Sequence, residues 1–144
     1  MRVLFDTSVL VAALVEAHDR HARAFPWLQR ARAAEVQGLI AMHSMAETCA
    51  VLASLPLSPC IAPVAAWTLL EHSVLAFMQS VDLTADDVRQ VLARLSRQGL
   101  AGGVVYDALI AAAVLAAGAE CILTLNPGDF RRVLPAGTLD VREP

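Results

Sequence analysis

The chain has 144 residues, enough for one domain with its own core. Apolar residues make up 57% of it, 27 of them alanine, while a net charge of −3 with eleven arginines and no lysine excludes binding to nucleic acid by bulk positive charge. Cys49, Cys60 and Cys121 are odd in number and lack CxxC or Cys/His zinc spacing, so they read as reduced thiols and not as a disulfide framework or zinc site.

Arg2 to Asp6 predicts a short buried strand, and a helix follows from about Thr7 to Leu14. Asp19 is placed to cap a second helix through about Ala34, with Ala24, Leu28 and Ala31 facing inward and Gly38 ending it. Arg20, Arg23, Arg30 and Arg32, beside His18 and His21, read as a solvated face, with a phosphate-contacting patch as the alternative. Leu39 to Met42 predicts a second strand. Ser44-x-x-Glu47 has the form of a capping box and starts a helix to about Ser54. From Thr48 to Leu70 no residue is charged, yet Pro56, Pro59 and Pro63 break the stretch, which reads as helix, loop, helix and not as a membrane span. The next helix, about Ala62 to Met78, carries Trp67, Leu70, Val74 and Phe77 near helical spacing.

Val81 to Leu83 is a minimal strand. Thr84-Ala85-Asp86-Asp87 reads as a helix start with acids set against the dipole, and that helix ends near Gly99. Gly102-Gly103 precedes the most apolar helix, about Val104 to Ala117, which Gly118 terminates. Cys121 to Leu125 is a strand, Pro127-Gly128 a turn, and Leu139 to Val141 a last short strand. Short strands alternating with helices predict a single α/β domain over 1–144, its central sheet mainly parallel and flanked by helices. Asp6 interrupts any leader-like apolar run at the N-terminus, so a cytoplasmic protein is expected. The surplus apolarity predicts a homodimer, a partner protein, or both.

Four acids fall where an apolar strand gives way to a helix: Asp6, Glu47, Asp107 and Asp129. In a parallel sheet the strand ends of one polarity share a rim, and ligands bind there. Carboxylates meeting on that rim repel one another unless a cation lies between them, and a hard, oxygen-seeking ion such as Mg²⁺ fits best. Each acid also has a local explanation: Asp6 as an N-cap, Glu47 in its capping box, Asp107 and Asp129 at helix starts. Capping does not account for the shared rim. Asp6, straight after an apolar strand, has no ordinary core partner. Thr7, Ser8 and Asn126 offer neutral oxygens for supporting hydrogen bonds. His43 lies near the same rim and reads as a solvated or core histidine ahead of a catalytic base.

The segment Val3-Leu4-Phe5-Asp6-Thr7-Ser8-Val9-Leu10 resembles the opening of PIN-domain proteins. Tyr106-Asp107-Ala108-Leu109-Ile110-Ala111-Ala112-Ala113, then Gly118, then Ile122 to Phe130 with Asn126 and Asp129, resembles their C-terminal half, and Glu47 stands at the middle acid. In size the chain is similar to the VapC-type toxins of bacterial toxin–antitoxin pairs. The resemblance implies a PIN-like domain with an acidic pocket at the strand C-terminal rim. It implies a Mg²⁺-dependent (or Mn²⁺-dependent) endoribonuclease that cleaves structured cellular RNA such as tRNA or rRNA and inhibits translation. Asp6, Glu47 and Asp107 would form the acidic core, with Asp129 completing it. Some members carry their last acid where this chain has Asn126, which leaves the fourth role open between the two positions. A homodimer and a cognate VapB-type antitoxin are the implied protein partners. Two other readings are an RNA-processing nuclease without a toxin role and a non-cleaving PIN scaffold that binds RNA or protein. A phosphohydrolase with an aspartate nucleophile fits less well, because Asp6-Thr7-Ser8 lacks the second acid of an Asp-x-Asp-x-Thr motif.

Overall fold

Val3, Leu4 and Phe5 are all fully buried, and a strand covered on both faces belongs at the centre of a parallel sheet. The computed structural model, which describes residues 1–135 and 137–144, places this strand there. β1 (Arg2–Phe5) pairs in parallel with β2 (Gln37–Ala41) on one side and β4 (Cys121–Leu123) on the other. β3 (Gln79–Val81) and β5 (Asp140–Arg142) form the edges, giving the order β3-β2-β1-β4-β5 with every pairing parallel. The chain winds outward from β1 to β3 and then returns to the far side of β1. The order therefore reverses between β1 and β4, and the crevice beyond their C-terminal ends is the expected ligand site.

Register decides which side chains face which helix layer. Leu4 lies opposite Leu39 and Ile122, and this row packs with Ile110 and Val114 of α6 (Val104–Ala116) and Phe130 of α7 (Pro127–Val133). The alternate row of Val3, Phe5, Ile40, Cys121 and Leu123 packs with Val9 and Leu10 of α1 (Thr7–Leu14) and Ala24, Leu28 and Ala31 of α2 (His21–Arg32). Around these layers stand α3 (Met42–Ser54), α4 (Pro63–Leu70) and α5 (Ala85–Arg97). Thr84 and Asp87 form the capping box that opens α5.

Several predicted boundaries move. α2 begins at His21 with no side-chain cap, and Asp19 instead faces His18 and Arg20. The helix ends before Ala34, which takes the left-handed turn at φ +57°, so Gly38 is not its terminator. Gly38 lies inside β2, where a Cβ would come within 2.9 Å of Met78 Cγ and 3.1 Å of Ala31 Cβ. It is small because α2 and Met78 press against the strand. The predicted 62–78 helix divides into α4 and a single π turn, Glu71–Leu75. Leu70 and Val74 face inward while Trp67 is 45% exposed. β3 starts two residues before the predicted strand, and Pro127-Gly128 opens α7 instead of forming a turn. Proline at the first helical position is favourable, because its missing N–H would have no partner there.

On α2 and its flanks, Arg20 faces Asp19, Arg23 faces Glu143, and Arg30 faces Glu35 while stacking on Trp27. Three of its four arginines are thus paired with acids at the surface, and Arg32 is exposed. Cys49, Cys60 and Cys121 are free thiols. Among the described residues no helix is long and apolar enough to cross a membrane.

Candidate active site

Asp6 is fixed by the backbone before its side chain is considered. Its amide donates to the Leu123 carbonyl of β4, and its own carbonyl accepts from Val9 and Leu10 as α1 begins. The residue is therefore held between the ends of the two central strands, with only 6% of its surface exposed. Its Oδ2 accepts a hydrogen bond from Ser8 Oγ at 2.6 Å and another from Thr124 Oγ1 at 2.9 Å. Ser8 Oγ in turn accepts from the Leu125 amide, and Thr124 Oγ1 from the Asn126 amide. Burial pushes the Asp6 carboxyl above the usual carboxylate range, and the bonds from Ser8 and Thr124 oppose that rise.

Glu47 reaches the rim from α3, but not through a capping box. The helix starts at Met42 with Ala41 as its N-cap, so Ser44 lies inside the first turn, fully buried. Glu47 is free to accept from Thr7 Oγ1 at 2.7 Å, and His43 Nε2 lies 3.8 Å from the same carboxylate oxygen. Asp107 is in the first turn of α6, whose N-cap is Gly103, and Asp129 is in the first turn of α7. Neither is a cap. Asn126 is the N-cap of α7, exposed and without a side-chain capping bond.

The Asp107 carboxyl is pushed up to about 6. Burial contributes most, followed by the negative charges of Asp129, Asp6 and Glu47, while Arg132 pulls the other way. The charges of the other three sequence-predicted acids thus reach Asp107, although the four are spread from position 6 to position 129 of the chain. The donors are carboxylate oxygens backed by hydroxyls, the set a hard divalent cation takes, and a cation would relieve the charge that lifts Asp107. In donor type and charge the residues fit Mg²⁺ or Mn²⁺. Their side chains are spread more widely than a finished shell: among the described residues, no three His, Cys, Asp or Glu side chains form a metal-sized group.

Thr124 and Arg132 escape sequence reasoning, and so does the contact between His43 and Tyr106. Thr124 is fully buried and bonded to Asp6 across 118 residues. Arg132 is the cation whose field reaches Asp107. His43 is partly exposed; its ring stacks on Tyr106 and its edge faces Glu47. The motif containing Thr124 and the adjacency of Tyr106 to Asp107 were the available signals, but no local pattern reveals which strand ends meet.

Thr124→Val tests the network. It keeps the shape but removes both the donor to Asp6 and the acceptor for the Asn126 amide. A loss of about 1–3 kcal/mol in denaturant unfolding is expected, because a buried partner is left unsatisfied. The Asp6 carboxyl should titrate higher still by carbon-detected NMR. An unchanged titration would show that Thr124 does not set the environment of Asp6.

The PIN domain family profile matches residues 3–134. Ribonuclease VapC27 of Mycobacterium tuberculosis is 36% identical over 108 residues, covering 75% of this chain and 73% of that protein. Ribonuclease VapC40 of the same organism is 38% identical over 120 residues, 81% of each. In fold, the chain is similar to the Mycobacterium tuberculosis sarcin–ricin loop cleaving toxin VapC20, with a TM-score of 0.71 at 22% identity over 97% of this chain and 98% of that one. It is also similar to a chain of VapBC2 from Rickettsia felis, solved with a promoter DNA fragment, with a TM-score of 0.66 at 20% identity over 99% and 98%. The five-stranded parallel sheet, the profile spanning nearly the whole sequence and the extent of the two identities agree: the chain belongs to the PIN-domain family and is of the VapC type.

Proposed function

We propose that the chain is a Mg²⁺- or Mn²⁺-dependent endoribonuclease, the toxin of a toxin–antitoxin pair, acting in the cytoplasm on structured RNA such as tRNA or rRNA and so inhibiting translation. The observation that carries this reading is the placement of Asp6 between the ends of β1 and β4, held by Ser8 and Thr124, with Glu47 held beside it by Thr7. The names of its relatives, both ribonucleases, support it. Asp6, Glu47, Asp107 and Asp129 would hold the ion. When bound, it supplies Lewis-acid polarisation of the scissile phosphate and a water of lowered pKa.

The chain's own residues prepare that chemistry. Ser8 and Thr124 orient Asp6, and Thr7 orients Glu47, so two carboxylates are set in place before RNA arrives. With its carboxyl raised to about 6 by burial and the neighbouring acids, Asp107 would have to give up a proton to hold an ion below that pH, so ion binding should weaken as pH falls through it. Arg132 is the cation available to a phosphate oxygen beside the acids. The exposed Val64 and Trp67 of α4 and Phe25 of α2 offer apolar surface for a homodimer and a VapB-type antitoxin.

The second reading is a PIN scaffold that binds RNA without cutting it, favoured by the absence of a metal-sized acid group among the described residues. Cleavage of total cellular RNA by the purified chain, with and without Mg²⁺ or Mn²⁺ and beside Asp6→Asn, separates the two. Discrete metal-dependent products missing from the variant are expected. RNA bound but never cut, with antitoxin verified absent, would overturn the nuclease reading in favour of the scaffold.

A further inference from the structure

Tyr106, the chain's one tyrosine, immediately precedes Asp107 and remains 52% exposed. Its ring lies against that of His43, with centroids 4.6 Å apart and planes 4° from parallel. A parallel stack occupies one face of each ring, and the exposure of Tyr106 leaves its other face to solvent. The pair also joins α3 and α6, two of the three helices that carry the acids, since His43 precedes Glu47 by one helical turn with its Nε2 3.8 Å from that carboxylate. An apolar pocket opens beside the stack, lined by Met42, His43, Ala46, Leu83, Val88 and Leu109.

This chemistry suits a base and not a phosphate. The carboxylates and the apolar pocket repel or ignore a bare anion, whereas any unpaired base can stack on an aromatic face. Building on the ribonuclease reading above, we infer that the His43–Tyr106 stack is a platform on which one unpaired base of the RNA rests, placing the adjoining phosphate against the acids. Tyr106 is then a substrate-binding residue and His43 its positioning support. The substrate class narrows accordingly to RNA with an unstacked base next to the cut, in a loop, a bulge or a single strand.

The test is fluorescence-anisotropy binding of two short labelled RNAs in the Asp6→Asn background with Mg²⁺ present, where the proposed mechanism allows binding without cleavage. One is an oligoadenylate; the other is the same chain with abasic ribose at its central positions. The Asp6→Asn protein should prefer the oligoadenylate by about 5- to 150-fold, the range expected for one stacked base. Adding Tyr106→Leu should remove most of that preference, while adding Tyr106→Phe, which keeps the ring, should retain it. A preference unchanged by Tyr106→Leu, or lost equally in Tyr106→Phe, would overturn the platform while leaving the nuclease reading untouched. Failure to bind either RNA, together with the absence of cleavage by the unmutated chain, would overturn both.

Discussion

Asp107→Asn is expected to reduce RNA cleavage by about 10³-fold or more, because it removes a carboxylate from the proposed metal set and with it several kcal/mol of charge stabilisation. The same substitution should make the metal-free protein more stable. Asp107 has its carboxyl raised from 3.8 to about 6, by burial first and then by Asp129, Asp6 and Glu47. The native state therefore binds more protons than the unfolded chain between about pH 4 and 6, and stability falls as pH rises through that window. At pH 7 the destabilisation is fully present, on the order of 1 kcal/mol after allowance for solvent screening at a partly exposed group. Asn carries no charge and removes it, so in EDTA at pH 7 the melting temperature should rise by roughly 3 °C. A divalent ion should raise the melting temperature of the unmutated protein and do much less for the variant. Full cleavage by Asp107→Asn would sink the assigned mechanism. A lower melting temperature would show that Asp107 supports the fold and that the repulsion is not the governing effect.

This opposition of stability and activity explains what could be seen in the sequence. An ionisable residue at the end of a buried strand conflicts with its surroundings, and such conflicts concentrate at functional sites. Asp6 could therefore be picked out as a candidate, with Glu47, Asp107 and Asp129 beside it as proposed partners, and alternating strands and helices were enough to indicate a parallel sheet. Local features that can serve two purposes were misassigned. Ser44-x-x-Glu47 has the spacing of a capping box, yet the helix starts two residues earlier and Glu47 turns to Thr7. Gly38 looks like a helix stop but is small for packing, while the left-handed turn falls on Ala34, which carries no glycine-like signal. Pro127-Gly128 suits a turn and a helix start equally well, and the burial of Phe130 against the sheet decides between them. Thr124 and the His43–Tyr106 stack depend on contacts between distant segments, which only the assembled sheet brings together.

Phe130→Ala should have the largest effect on stability, about 3–5 kcal/mol, from lost apolar burial and the cavity left behind. Against a total stability of about 5–15 kcal/mol for a domain, that is a large fraction. Phe130 is 1% exposed and packs in the cluster that contains Leu4, Leu39, Ile110, Val114 and Ile122. It is also the one buried residue of α7, a helix of seven residues and far too short to persist in water unaided. Its loss should therefore detach α7 while the sheet survives under mild conditions, carrying Asp129 and Arg132 away from the rim. Of the charges acting on Asp107, Asp129 is the largest source of repulsion, so the Asp107 carboxyl should titrate lower in the variant despite its unchanged sequence surroundings. Phe130→Leu, which keeps most of the apolar volume, should cost much less and leave that titration in place. Denaturant unfolding paired with an NMR titration of Asp107 measures both effects. A large stability loss with no movement of Asp107 would mean that α7 stays docked without its anchor, and that Asp129 reaches the site by some other support.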